Sequence, residues 1–227
     1  MRRIAALFGL LLPLAAAAEL TAWPSQLPPP AGAVLLDTRS AADCAARSVR
    51  GARCLPAQEF RDAQEHLPAW RDILWLFSTA RLTGSETVLV LGEQAADRDQ
   101  VAALLYIAGQ RHVRVVETPV SRLLDQGTAA GPGAPRDFAR QVAYTVRMRD
   151  GLLILRQELD PRRQRLVDAA RPPVGAGTPD GRVPVLTSAS PGSSLAAFTR
   201  WWLAGRHDVR VALEPVASTA WQKGLAS

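Results

Sequence analysis

The chain has 227 residues, 48% of them hydrophobic and 21% charged, which is the balance of a packed protein with one large or two small domains. Its formal net charge is +6, but it contains a single lysine and its arginines are scattered through every segment. A nucleic-acid-binding protein normally gathers its basic residues into a patch or stripe. We therefore expect no nucleic-acid partner.

Residues 1–18 have the layout of a secretory signal peptide. Arginines at positions 2 and 3 precede an apolar run, Ile4 to Leu14, and the small residues Ala15 to Ala18 follow it. The alternative is an uncleaved membrane anchor, but the run is shorter than the roughly 20 residues that cross a bilayer. Cleavage would leave 25 basic and 21 acidic residues, a net charge of +4. The sequence predicts a periplasmic or secreted protein with no membrane span in the mature chain.

Cys44 and Cys54 are the two cysteines of the chain. In an oxidising compartment such a pair can close a disulfide, which for so short a loop contributes about 3 kcal/mol or less. The alternative is two small buried side chains that never meet. Their spacing does not fit a zinc site, and His66, His112 and His207 are too dispersed to complete one. We expect no metal and no cofactor.

The first elements of the mature chain follow a proline-rich lead-in, Trp23 to Pro30. The run Ala33 to Leu36, followed by Asp37 and Arg39, is typical of a buried parallel strand. Residues 41–47 are predicted to form a helical turn or two, and residues 49–56 a glycine turn that leads into a brief strand. A helix is predicted over residues 57–82.

A strand, a loop and a helix are predicted next, over Val88–Leu91, Gly92–Asp97 and the residues up to Ala108. Val101, Leu104, Leu105 and Ala108 recur at helical spacing on one side, which favours an amphipathic helix. A strand at Val113–Val116 closes the unit. Alternating strands and helices indicate an α/β fold with a parallel sheet flanked by helices, in which ligands bind at the carboxyl ends of the strands. The sequence therefore places a site at the loop 92–97.

This unit recurs later in the chain. Residues 185–205 align without a gap beneath residues 89–109, an offset of 96, and Asp208–Val211 continue the match to His112–Val115. We predict two copies, 19–126 and 136–227, with a linker at 127–135. The second is shorter, with about thirty residues from the strand Leu152–Leu155 to Val185 and at least one helix lost. Residues 142–148 suit either a hairpin or, as the repeat favours, a helix leading into a strand.

Three signatures together resemble the rhodanese-like family, sulfurtransferases often built as tandem α/β domains. They are Leu35-Leu-Asp-Thr-Arg39, Gly51-Ala52 with Pro56, and the strand, loop and helix of 88–109. The resemblance covers most of residues 31–122 and is weaker for 150–222. It implies that Asp37 and Arg39 form a structural ion pair behind the active loop.

The resemblance also implies a cysteine at the first position of the loop, where a helix N-terminus and backbone N–H groups stabilise a thiolate and then a persulfide. Here that position is Gly92, and the loop is locally acidic. We expect a degenerate active loop without catalytic residues, formed by Gly92, Glu93, Gln94, Ala95, Ala96 and Asp97.

In the second copy Ser188 takes the nucleophile's position, and no histidine is placed to activate it. The loop residues Ser188, Ser190, Gly192 and Ser193 could bind an oxyanion at a helix start. The favoured alternative is helix capping, with Ser190 as the N-cap and Pro191 in the first turn.

The first hypothesis for function is an exported, catalytically silent binding or accessory module, with an unknown protein partner or a small oxyanion. The second is an enzyme, either a sulfur carrier that uses Cys44 or Cys54 or a hydrolase that uses the Ser188 loop. The third is a partner protein whose Cys44–Cys54 bond makes it redox-responsive. One fold serves all three, so the fold alone does not decide among them.

Overall fold

The computed structural model describes residues 18–25, 28–170 and 181–212. The predicted signal peptide, apart from its last residue, lies outside these residues. None of the helices in these ranges combines the length and the apolar character that a bilayer span requires.

The first half of the chain forms a five-stranded parallel sheet with the strand order β1-β6-β5-β2-β4. Its central strands are runs of valine and leucine that are buried on both faces, as expected for a parallel sheet between helices. A short antiparallel pair, β3 with β7, lies beside the sheet. The elements in chain order are β1 (Glu19–Trp23), β2 (Val34–Asp37), α1 (Ala41–Ala46), β3 (Ser48–Val49), β4 (Arg53–Cys54), α2 (Trp70–Thr79), β5 (Thr87–Leu91), α3 (Ala95–Ile107), β6 (His112–Val116), α4 (Val120–Asp125) and β7 (Ala130–Gly131).

The second half forms a four-stranded parallel sheet with the strand order β8-β11-β10-β9. Its elements are β8 (Leu153–Ile154), β9 (Gln164–Asp168), β10 (Val183–Thr187), α5 (Pro191–Leu203) and β11 (Arg210–Ala212). Both bounds of α5 lie 96 positions after those of α3, and both bounds of β10 lie 96 after those of β5. The predicted α/β class and the repeat are confirmed.

The strand predicted at Leu152–Leu155 is present as β8, over Leu153–Ile154. It pairs with β11 as β1 pairs with β6, so β8 is the counterpart of β1. The counterpart of β2 is β9, a strand that was not predicted: Asp168 lies beside Thr187 as Asp37 lies beside Leu91. The interval 38–86 of the first copy thus corresponds to only 169–182 in the second. The shortening is larger than predicted.

The predicted helix over 57–82 was too long. The structure has a 3-10 turn at Ala57–Phe60 and then α2, with a non-helical stretch between them. The side chain of Asp62 accepts the backbone N–H groups of Gln64 and His66, each at 2.8 Å, which closes a local turn. An aspartate that bonds nearby backbone in this way competes with helix formation.

Residues 141–149 form neither the hairpin nor the helix considered for them. This connecting segment lies across the first unit, where Tyr144 packs on Phe77 with ring centroids 5.3 Å apart. The Tyr144 hydroxyl donates to Gln110 Oε1 at 3.3 Å, and burial raises the pKa of this phenol. The alternating apolar residues therefore serve packing against the first unit rather than pairing with another strand.

The helix α3 is buried along almost its whole length, from residue 98 to residue 107, rather than on one face as predicted. Its outer face is covered by α5 of the second unit. Thr199 Oγ1 of α5 donates to the backbone oxygen of Asp99 at 2.8 Å, and Tyr106 packs against Trp202 with ring centroids 5.0 Å apart. One hydrophobic cluster includes residues of both sheets, so the two units share a core.

Glu86 organises the turn between α2 and β5, and its ionisation should be visible in the pH dependence of stability. Burial raises the pKa of Glu86, but hydrogen bonds from Thr83 and Gly84 outweigh it and hold the pKa below the usual 4.5. A lowered folded-state pKa stabilises the protein above 4.5, and this stabilisation is lost as pH falls through the folded-state value. We expect Glu86→Gln to cost about 1 kcal/mol at neutral pH. In urea titrations across pH, the difference in free energy of unfolding between this variant and the wild type should vanish in acid, and a difference that persists there would contradict the assignment.

Candidate functional site

The carboxyl ends of β2 and β5 border a polar cavity of about 490 Å³. This is the edge of a parallel sheet at which ligands are expected. The cavity brings together the residues that follow β2, the start of α1, the connection from β5 to α3, and the start of α4. Its lining residues are Thr38, Arg39, Ser40, Asp43, Glu93, Gln94, Asp97 and Ser121.

Asp37 and Arg39 form a close ion pair at the base of the cavity. The carboxylate of Asp37 is fully buried and accepts hydrogen bonds from Arg39 Nη2 at 2.7 Å and from Ser48 Oγ at 2.6 Å. Arg39 Nη2 also donates to the backbone oxygen of Arg47 at 2.6 Å. Burial lowers the pKa of Arg39, but the hydrogen bond and charge of Asp37 outweigh this and raise it. The Arg39 guanidinium thus links β2 to the end of α1 by hydrogen bonds to both.

The residues predicted as a six-residue loop divide between two structures. Gly92, Glu93 and Gln94 connect β5 to α3, whereas the residues from Ala95 to Asp97 form the first turn of α3. The connection is short, and Gly92 is buried.

The space beside Gly92 is filled. A Cβ atom placed on Gly92 would lie 2.5 Å from Thr38 Oγ1 and 3.0 Å from the Cβ of Arg98. Thr38 is held there because its hydroxyl donates to the backbone oxygen of Leu91 at 2.9 Å. Position 92 therefore has no room for a side chain unless its neighbours move.

The cavity carries more negative than positive charge. Of the side chains that line it in the described part of the chain, Arg39 alone is basic, against Asp43, Glu93 and Asp97. Glu93 accepts hydrogen bonds from the backbone N–H and the hydroxyl of Ser121, at 3.1 and 2.6 Å. The carboxylate of Glu93 thus occupies the start of α4, where an anionic ligand would otherwise find free donors.

Asp97 forms an ion pair with Arg61, a residue that lies outside the first copy's loop. The distance from Arg61 Nη2 to Asp97 Oδ1 is 2.8 Å, and Arg61 also contacts Glu65 at 3.1 Å. This arginine comes from the turn after the 3-10 segment, so it joins that turn to the first turn of α3. The pair is partly exposed and its contribution to stability is small.

The second-copy loop is organised by hydrogen bonds among its own serines. Ser190 is the N-cap of α5 and accepts the backbone N–H of Ser193 at 3.3 Å, with Pro191 in the first turn. Ser188 Oγ donates to the backbone oxygen of Ser190 and lies 3.0 Å from Ser194 Oγ. This is the capping role favoured from the sequence. Gly192 packs against Gln100 of α3, so it belongs to the seam between the two helices.

Cys44 and Cys54 are joined in a disulfide that links α1 to β4. Both cysteines are buried, and the chain contains no other. The choice between a disulfide and two separate buried thiols, open from the sequence, is resolved by the structure in favour of the disulfide.

Two residues of the site were missed from the sequence. Thr38 closes the space beside Gly92, and Arg98 lies buried behind it, donating to Asp99 Oδ1 and to the backbone oxygen of Glu117 at 2.8 and 2.9 Å. Burial raises the pKa of Asp99, opposed by the charge of Arg98. Adjacent arginine and aspartate in a helix normally indicate a solvated face, so the sequence gives no signal for this buried pair. The pair is buried because α5 covers α3, which only the structure shows.

No family model and no curated protein matches the chain, but solved structures do. Against the anaerobic ergothioneine biosynthesis enzyme from Chlorobium limicola, in complex with trimethyl histidine, the TM-score is 0.64 at 12% identity, over 79% of this chain and 60% of that chain. Against YnjE it is 0.63 at 14% identity, over 81% and 59%. Against SseA from Escherichia coli, a 3-mercaptopyruvate sulfotransferase with the rhodanese fold, it is 0.61 at 9% identity, over 82% and 94%.

The chain spans about six-tenths of the length of the first two of these structures. At such low identities the likeness establishes the fold and nothing about activity. Together with the two parallel sheets, it shows that the chain has a tandem rhodanese fold.

Proposed function

We propose that this chain is an exported rhodanese-fold protein that has no sulfurtransferase activity and acts as a binding or accessory module. Three features of the molecule support this proposal: the cysteines are bonded to each other, position 92 has no room for a nucleophile, and the cavity beside it is acidic.

The state of the cysteines is the observation that carries the proposal. Sulfur transfer through a persulfide needs a thiolate that is accessible and stabilised. The chain has two cysteines, and both sulfurs are used in the Cys44–Cys54 bond. The bond joins α1 to β4 and does not lie at the start of α3 or α5, which is where the resemblance to the rhodanese-like family would place the nucleophile.

The charge of the cavity argues against the anionic substrates of a sulfurtransferase. A thiosulfate-like anion in this cavity would meet Asp43, Glu93 and Asp97, while Arg39 is already engaged by Asp37. A binding partner for this cavity is better described as a neutral or cationic polar group than as an oxyanion. The second-copy loop is a more favourable place for a small oxyanion. The start of α5 is surrounded by hydrogen-bonded serines, and residues 187–199 contain no acidic side chain.

A thiosulfate:cyanide sulfurtransferase assay tests the proposal. We expect no turnover above buffer from the oxidised protein, and mass spectrometry after thiosulfate exposure should show no persulfide on either cysteine. The control is the Cys44→Ala/Cys54→Ala variant, which cannot carry sulfane sulfur. Turnover in the wild type that disappears in this variant would instead support the second candidate, a sulfur carrier that uses Cys44 or Cys54.

Export is the second part of the proposal, and the position of β1 supports it. The strand begins at Glu19, directly after the predicted cleavage position, and pairs along its whole length with β6. Removing residues 1–18 would therefore leave the first sheet complete. The measurement is N-terminal sequencing of protein recovered from the periplasm or medium, which should begin at Glu19. An intact N-terminus in the cell interior would contradict export.

A further inference from the structure

The segment from Ala129 to Ala134, here called the strap, lies directly over the disulfide. Its backbone bonds to the disulfide region at both of its ends: Arg50 N–H donates to the oxygen of Ala129 at 2.8 Å, and Ala134 N–H donates to the oxygen of Ala52 at 2.8 Å. Between these bonds, β7 pairs with β3. The strap is therefore closed by backbone hydrogen bonds on either side of the two sulfurs.

Gly133 brings the strap into contact with both sulfur atoms. A Cβ atom on Gly133 would lie 2.7 Å from Cys54 Sγ and 2.7 Å from the backbone oxygen of Cys44, and closer still to Cys44 Sγ. The backbone N–H of Gly133 donates to that same oxygen at 2.9 Å. Only a residue without a side chain permits this approach. The disulfide is accordingly buried, with Cys44 at 0% and Cys54 at 3% exposure.

Two thiols need more room than a disulfide, because the sulfurs are no longer bonded and each carries a hydrogen. In this protein part of the added volume would be directed at the backbone of Gly133, because this residue approaches both sulfurs. Interiors are close-packed and do not absorb such an increase without movement. The strap is the element that can move, because backbone hydrogen bonds are its main attachment and Ala130 is its one residue whose side chain packs against a hydrophobic cluster.

We propose that the strap is a redox-coupled cover: it closes on the Cys44–Cys54 disulfide and opens when a dithiol reduces that bond. One thiolate of the dithiol attacks a sulfur of the Cys44–Cys54 bond, which breaks that bond, releases one cysteine thiolate and forms a mixed disulfide. The second thiolate of the dithiol then attacks the dithiol sulfur of the mixed disulfide and releases the other cysteine thiolate. The products are two cysteine thiols and the oxidised dithiol, with two electrons and two protons transferred. The closed strap shields the sulfurs from the attacking thiolate, so opening and reduction favour each other. This inference is independent of the proposed binding function.

Amide hydrogen exchange of the wild type, with and without dithiothreitol, tests the coupling. We expect exchange in the strap to rise by about tenfold or more on reduction, with little change in α3 or β5. The Cys44→Ala/Cys54→Ala variant has no sulfur to accommodate and should not respond to dithiothreitol. Strap exchange that is unchanged when the wild type is fully reduced would overturn the proposal.

Substitution of Gly133 tests the same coupling without a reductant. Gly133→Ala should hold the strap away from the sulfurs, so we expect strap exchange to rise in the oxidised protein and the disulfide to be reduced about tenfold faster by dithiothreitol. Gly131→Ala is the matched control in the same strap, because its Cβ would meet Arg50 only at an ordinary contact distance of 3.5 Å. Thermal unfolding first establishes that both variants are folded. Equal reduction rates for the two variants would also overturn the proposal.

Discussion

Replacing Asp37 with alanine is expected to destabilise the protein by about 3 kcal/mol, because it removes the buried partner of a hydrogen-bonded ion pair. The carboxylate of Asp37 is fully buried and accepts hydrogen bonds from both Arg39 and Ser48. We place the effect at the lower end of the range for such pairs, since the Arg39 side chain is 16% exposed and can regain water. The measurement is the free energy of unfolding in urea.

Asp168 provides the matched control for that substitution. It occupies the equivalent register in the second sheet and accepts the backbone N–H of Ala170 at 2.9 Å, as Asp37 accepts that of Arg39 at 3.0 Å. Asp168 is exposed, however. Asp168→Ala should therefore cost about 1 kcal/mol or less. Equal losses at the two positions would show that the buried network around Asp37 does not carry the stability assigned to it.

Introducing a cysteine at position 92 is expected to destabilise the protein by about 1–3 kcal/mol without producing sulfurtransferase turnover. The new Cβ would meet Thr38 Oγ1 at 2.5 Å. The cavity that a thiol would face is lined by three acids and one arginine, and the acids disfavour a thiolate. Stability is measured by urea denaturation, and activity by release of thiocyanate from thiosulfate and cyanide.

Two further variants distinguish steric crowding from other causes. Adding Thr38→Ala to Gly92→Cys should recover part of the lost stability, because the two positions are in contact and their effects are not additive. Ser188→Cys, at the equivalent position of the second copy, replaces an existing side chain and should cost about 1 kcal/mol. Robust turnover by Gly92→Cys would contradict the view that the first loop is closed to this chemistry.

Much of the fold was predictable because its signals are local or repeated. The strand, connection and helix of 88–109 follow from hydrophobic periodicity, and the offset of 96 identified the second copy without any helix or strand propensity. The strand β9 was missed because Gln164 to Asp168 is short and only partly apolar. A usable signal was present: Leu166-Val167-Asp168 matches Leu35-Leu36-Asp37.

Other features depend on contacts between distant segments and could not be predicted. The burial of Arg98 and Asp99 depends on α5, which begins more than ninety positions later. The obstruction beside Gly92 depends on Thr38, because a sequence shows that a cysteine is absent but not that its space is occupied. The closed disulfide depends on the strap, a segment whose glycines and prolines suggested only a linker.

The contact of α3 with α5 has a consequence for how this protein can change over time. Each helix packs against the other unit as well as against its own sheet, and a single hydrophobic cluster contains residues of both sheets. A substitution in either helix at this contact therefore alters the packing of both units. A change of side-chain volume in one helix has to be compensated in the other, so the two halves of the chain cannot be redesigned independently along this contact.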